Sequence, residues 1–368
     1  MEVPFVDLKA QYQTIREDID GAIRSILDGA NFVGGKPVKD FESAFAAAYG
    51  VKHVIGVANG TDAIYITMKM LGIGAGDEVI TTATSWISTS ETISQTGARV
   101  VFADIDPVTY TIDPAQIEKL ITPRTRAVIP VHLYGQSCHM EEISRICKKH
   151  NLHLIEDCAQ SHFTAEGNKL AGTWGIAGTL SFYPGKNLGA YGDAGCIVTN
   201  DDELARKMRM YANHGALVKH AHEIEGINSR LDTLQAAILG VKLKHIQQWT
   251  RQRIGHAEAY NKLLSGIGDL QVPLTRPGTT HTFHLYVIRT KQREALKAHL
   301  ERAGIHTAIH YPTALPNLPA YRYLEHTPAD FPVATEHQSL ILSLPMFPEL
   351  TQEQIAYTAD NIRAFFQK

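Results

Sequence analysis

Seven short runs of β-branched and aliphatic residues, most of them separated by stretches with helical spacing, constrain this chain more than any other feature. The runs are His53–Ala58, Glu78–Thr82, Arg99–Asp104, Arg126–Val131, Leu152–Asp157, Thr179–Tyr183 and Gly195–Thr199. Between them, Asp62–Leu71, Ser88–Thr96, Pro114–Ile121 and Met140–His150 have the length and periodicity of helices. Strand, helix, strand predicts an α/β fold, with a largely parallel sheet covered on both faces. Only a Gly-rich loop separates the last two runs. Antiparallel pairing and a crossover to a distant position both stay open for them.

From Asp201 the pattern turns helical. Arg230–Leu264 contains no proline and predicts one long helix, bent near Gly240 or Gly255. Beyond Pro273 come a strand at Leu285–Thr290, a helix at Arg293–Ala303, another short strand and a last helix near Gln352–Phe366. A chain of 368 residues exceeds what one small core organises. The expected division is a large α/β domain over 1–250 and a smaller α+β domain over 251–368.

Several function classes are disfavoured. A formal charge of −3 leaves no electrostatic footprint for nucleic acid or an anionic membrane. No stretch reaches the length of a membrane span, and MEVPFVDLKAQYQ lacks the apolar centre of a signal peptide, so a cytoplasmic protein is expected. The four cysteines form no CxxC pair and read as reduced and buried. Of the eighteen histidines, the pairs His281/His284, His220/His222 and His306/His310 lack a carboxylate or cysteine at ligand spacing. No metal is expected, and these histidines read as hydrogen-bonding or surface residues, with His310 the exception.

Four features carry the chemistry. Asn59-Gly60-Thr61-Asp62-Ala63 joins a strand to a helix, where backbone N–H groups and the helix dipole favour a phosphate. Alone, Thr61 reads better as a helix N-cap. Asp157, in Glu156-Asp157-Cys158-Ala159-Gln160, closes an apolar strand at the end where α/β folds bind ligands. Its carboxylate suits a protonated pyridine nitrogen; Glu156 alternates to the other side and is the weaker candidate. Lys186 lies in the loop Ser181-Phe182-Tyr183-Pro184-Gly185-Lys186-Asn187-Leu188-Gly189, which lacks the P-loop signature. A lysine there becomes a Schiff-base nucleophile when burial lowers its pKa. Trp86 follows Glu78–Thr82 and can stack on a planar ring. A phosphate cradle, a stacking ring, a carboxylate and a lysine, each at a strand end, together meet the requirements of pyridoxal phosphate.

NGTDA, EDCAQSH, SFYPGKNLGAYGDAG and NSRLDTLQAA resemble the DegT/DnrJ/EryC1/StrS family of nucleotide-sugar aminotransferases, and the resemblance runs from FVDLKAQY to the IHYP segment, nearly the whole chain. The resemblance implies fold type I and a homodimer with active sites at the subunit interface. It assigns Lys186 as the Schiff-base lysine, Asp157 as the partner of the pyridinium nitrogen, and Gln160 as the residue near the phenolic oxygen. Gly60, Thr61 and Ser181 match phosphate ligands, and Trp86 the stacking position. Asn228 matches a residue reaching the neighbouring subunit's cofactor phosphate, while Arg230, His310 and Tyr311 match contacts to the nucleotide sugar. After His310-Tyr311-Pro312 the chain departs from the family's common PIPLHLQPAY-like continuation, with Thr313–Ala320 in its place.

The implied activity is amination of a keto group on a nucleotide-linked hexose with glutamate as donor. FVDLKAQY and Tyr134–Gln136 look most like members acting at C3. Amination at C4, as in perosamine-type enzymes, is the alternative, and a regulatory member that binds cofactor without turnover is the third. Lys186 argues against that third reading and against the family's sugar dehydratases, which lack the lysine.

Overall fold

The computed structural model describes residues 1–367. Its centre is a sheet built from β1 (His53–Val57), β2 (Glu78–Thr82), β3 (Arg99–Ala103), β4 (Thr125–Ile129), β5 (His153–Asp157), β6 (Ala177–Ser181) and β7 (Gly195–Thr199). The strands lie in the order β1-β7-β6-β5-β4-β2-β3. Pairings from β3 through β2, β4 and β5 to β6 are parallel. β7 is the reversed strand, antiparallel to both β6 and β1. Of the two arrangements open to the Gly-rich loop, the chain therefore takes antiparallel pairing, with Gly178 opposite Val198. The carboxyl ends of the other strands share one edge with the start of β7. Every residue of β2 and β7 is buried, as strands covered on both faces must be.

The covering helices follow their local signals. α4 (Gly60–Met70) is capped by Asn59, whose side chain accepts from the Asp62 N–H at 2.8 Å. Asn59, not Thr61, is thus the N-cap. α5 (Ser88–Gln95) and α6 (Pro114–Leu120) follow β2 and β3. α7 (Met140–Lys149) opens on Glu141 and Glu142 and closes on Lys148 and Lys149, complementing its dipole. α8 (Asp202–Tyr211) follows β7.

The N-terminal fifty residues form α1 (Leu8–Thr14), α2 (Arg16–Gly29) and α3 (Lys36–Tyr49), and α2 and α3 pack on α9 (Thr233–Leu243). The long helix expected over Arg230–Leu264 is two, α9 and α10 (Ile246–Leu264), parted at Lys244-His245 rather than at a glycine. Gly240 and Gly255 both lie inside helices. Ile246 and Trp249 pack with α2, α3 and α9, whereas Tyr260 and Leu264 join a second core, so α10 bridges the two. The second core also contains the antiparallel pair β8 (Tyr286–Arg289) and β9 (Ile341–Leu344), with α11 (Arg293–Arg302) and α13 (Gln352–Phe366). Ala314, Leu315, Tyr321 and Phe331, together with Ala334 of α12 (Pro332–Leu340), pack instead on the core around β2 and β3. All four cysteines are free and buried. Among the described residues no helix is long and apolar enough to cross a membrane.

Candidate active site

A cavity of about 570 Å³ opens where the strand ends meet. Gly60, Thr61, Trp86, Asp157, Gln160, Ser181 and Lys186 line it from the sheet edge, and His310 and Tyr311 face them from the segment before α12. Nine of the residues selected from sequence thus converge, although Gly60 and Tyr311 lie 251 positions apart.

Most are held by specific contacts. Asp157 is buried, and its Oδ2 accepts the Thr89 hydroxyl at 2.7 Å while Oδ1 accepts the Ala159 N–H at 3.0 Å. Gly60 owes its identity to crowding: an added Cβ would lie 2.7 Å from Ser181 Cβ. The N–H groups of Gly60 and Thr61 open α4 and have no intrahelical acceptor, which suits a phosphate. Thr61 and Ser88 pair through their hydroxyls at 2.7 Å, and Ser181 Oγ accepts the Tyr183 N–H at 3.3 Å. Trp86 is 58% exposed, so it belongs to the cavity wall and not to a core. Its ring centroid is 5.7 Å from that of Tyr311. Gln160 bridges the two sides, accepting the Tyr134 N–H at 2.7 Å and donating to the Tyr311 hydroxyl at 2.9 Å.

Burial sets the charge states. It pushes the Lys186 ammonium from its ordinary 10.5 down to about 8, with the Asp157 carboxylate opposing that fall. His310, hydrogen-bonded to Ser343 at 2.9 Å, is lowered by burial to about 4. The cavity therefore combines a lysine that reaches its free base near neutrality with a fixed carboxylate, backbone N–H donors and neutral aromatic walls. That donor set fits pyridoxal phosphate: a lysine for the aldehyde, a carboxylate for the ring nitrogen, N–H groups for the phosphate and Trp86 for the ring face.

Asn228 and Arg230 do not line the cavity of a single chain. Both are exposed, and Arg230 Nη1 donates to Asn213 Oδ1 at 3.4 Å. Between them Ser229 is buried, donating to Asp62 at 2.6 Å and accepting the Ala58 N–H at 3.1 Å, which anchors the segment beside the α4 N-terminus.

Sequence alone did not identify Thr89 or His284, which lines the cavity, and it undervalued Glu156. Glu156 does face away from Asp157, yet it is fully buried and accepts N–H groups from Gly172, Trp174 and Gly175 at 2.6–2.9 Å. His132 Nε2 lies 3.1 Å from it, and the Cys138 N–H donates to His132 Nδ1, which leaves the ring proton on the side of Glu156. His132, Glu156 and Cys158 bring ligand atoms within 4.8 Å of one another. The Glu156 oxygens are already engaged by backbone donors, so this cluster reads as a structural hub.

Known proteins share this sequence and fold. The model of the DegT/DnrJ/EryC1/StrS aminotransferase family matches residues 13–363. The "pleiotropic regulatory protein" of Geobacillus stearothermophilus is 46% identical over 100% of this chain and 99% of its own length. A UDP-N-acetyl-3-dehydro-alpha-D-glucosamine 3-aminotransferase of Acidithiobacillus ferrooxidans is 42% identical over 98% of this chain and 97% of its own. The crystal structure of Streptomyces venezuelae DesV in complex with a ketimine intermediate superposes with a TM-score of 0.97 at 39% identity, covering 100% of this chain and 99% of that one. Fold, motifs and relatives agree: the chain belongs to the DegT/DnrJ/EryC1/StrS aminotransferase family.

Proposed function

We propose that this protein is a pyridoxal-phosphate-dependent aminotransferase that converts a 3-keto group on a nucleotide-linked hexose to an amine, with glutamate as donor. The observation that carries this reading is the convergence of Lys186, Asp157 and the Gly60–Thr61 N–H groups on one cavity. Pyridoxal phosphate, when bound, supplies an aldehyde for amine exchange and a ring that withdraws electrons from the substrate carbon.

The protein's own groups supply the rest. Asp157, fixed by Thr89 and Ala159, would hold a proton on the ring nitrogen. Lys186, with its pKa lowered by burial, would carry a proton to and from the reacting carbon as a general base and acid. Gly60, Thr61 and Ser181 would take the phosphate, Trp86 would cover the ring, and Gln160 would meet the ring's phenolic oxygen. His310 and Tyr311 would contact the nucleotide sugar.

Asn228 and Arg230 fit a shared site. They are exposed on a segment tethered beside the phosphate cradle, and the preceding stretch of chain exposes the apolar side chains Leu217, Val218 and Ile224. In a homodimer, Asn228 would reach the partner's phosphate site and Arg230 the partner's bound nucleotide sugar. The relative acting on a 3-dehydro sugar supports C3 over C4. Lys186 supports turnover over the regulatory role in the Geobacillus relative's name.

The test is incubation with glutamate and a panel of 3-keto and 4-keto nucleotide sugars, read by mass spectrometry. Amination of a 3-keto sugar is expected. Amination of the 4-keto isomers alone moves the reaction to C4, and amination of none overturns the proposal.

A further inference from the structure

His284 lines the cavity from the turn that leads into β8, with Lys186 and His310 both nearby. Its ring is locked by a chain of hydrogen bonds whose directions can be read. Thr282 O can only accept, so the Asn187 side chain presents Nδ2 to it, at 3.1 Å. The Asn187 Oδ1 is thereby turned to His284 Nδ1 at 3.3 Å, and an amide oxygen can only accept. Nδ1 must therefore carry the proton, leaving Nε2 with a free lone pair. Nε2 has no partner among the described residues, and the ring lines the cavity.

The backbone is fixed as well. Arg253, buried at 4% exposure, donates through Nη1 to the carbonyls of Phe283 at 3.1 Å, His284 at 3.4 Å and Met346 at 2.9 Å. Burial, reinforced by the nearby Lys186, Arg253 and His310, holds the imidazole well below its ordinary pKa and keeps it neutral. Asn187, which completes the lock, is the residue directly after Lys186. A fixed acceptor thus lines the same cavity as the reacting amine, locked by the residue next to that amine in the chain.

We infer that His284 recognises a hydroxyl of the acceptor sugar through the lone pair of Nε2, making it a specificity-determining residue. The inference rests on the nucleotide-sugar reading above. A preorganised neutral acceptor discriminates well, because a sugar without the matching hydroxyl leaves it unpaired.

The test compares His284→Phe, which keeps a planar ring without an acceptor, with His284→Gln, which restores an acceptor oxygen. Calorimetry on the holoenzyme measures binding of the amino-sugar nucleotide product, with the free nucleoside diphosphate as control. Loss of one such hydrogen bond predicts about tenfold weaker binding of the sugar nucleotide to H284F, with free-nucleotide binding unchanged and most of the loss recovered in H284Q. In steady state the sugar KM should rise in H284F while the glutamate KM stays within about twofold. Unchanged sugar-nucleotide binding by H284F, beside a parent that binds it, overturns the His284 assignment alone. Equal losses for sugar nucleotide, free nucleotide and glutamate also overturn it, because the histidine would then act only through the fold. A parent that binds no sugar nucleotide overturns the functional reading and this inference with it.

Discussion

Thr89 donates its hydroxyl to Asp157 Oδ2 at 2.7 Å, so the first turn of α5 orients a carboxylate carried by β5. The bond spans 68 positions of sequence and fixes which Asp157 lone pairs remain for a ligand. Asp157→Asn should keep cofactor and fold but lose most turnover, because an amide cannot hold a ring nitrogen protonated. Thr89→Val leaves the charge in place and should cost about tenfold in kcat, the scale of one hydrogen bond to an ionised group. Absorbance of the bound cofactor and steady-state kinetics read the two effects separately.

Glu156→Gln looks mild from sequence, since alternation turns the side chain away from the site. The structure predicts a different outcome. The carboxylate accepts three backbone N–H groups in a fully buried position, and an amide would aim its own donors at some of them. The variant should be destabilised by about 3 kcal/mol, seen as a lower thermal or urea midpoint. Its activity per folded molecule should fall far less than that of Asp157→Asn. Equal midpoints for Glu156→Gln and the parent would refute the structural hub.

Lys186 should show its lowered pKa in the cofactor-free protein. Labelling by an amine-reactive reagent, followed site by site with mass spectrometry, should rise with a midpoint near 8 instead of 10.5. The Asp157 carboxylate favours the ammonium, so Asp157→Asn should move the midpoint lower still. The sign for stability follows from the same shift. Between about 8 and 10.5 the unfolded chain binds more protons at this residue, so its contribution to stability improves as pH rises through that window. Lys186→Met should remove that part of the pH dependence.

The shared site predicts complementation. Lys186→Ala and Asn228→Ala homodimers should each be inactive, yet a heterodimer keeps one site with both residues intact. Random exchange of equal amounts should restore roughly a quarter of parent activity, because half the dimers are mixed and half their sites are whole. Exchange without recovered activity would show that each site is complete within one chain.

The sequence by itself determined the strand-and-helix alternation, the strand ends that carry Gly60, Trp86, Asp157 and Ser181, and the lysine loop. These are local signals: a buried parallel strand must be an apolar run, and a loop pressed against its neighbours must contain glycine. Gly60 illustrates the limit of that reading, because its requirement comes from Ser181, 121 positions away in the chain. Only the tertiary structure decided that β7 inserts antiparallel between β6 and β1, since one Gly-rich loop is compatible with either connection. It also decided where the expected long helix breaks. α9 packs against α2 and α3 while the end of α10 joins a different core, and the chain turns at Lys244-His245 although neither residue is a helix breaker. Thr89, Glu156 and His284 stayed hidden for the same reason. Their roles depend on which donors and acceptors the fold brings to them from distant segments, and hydrogen-bond partnership of that kind leaves no periodic trace along the chain.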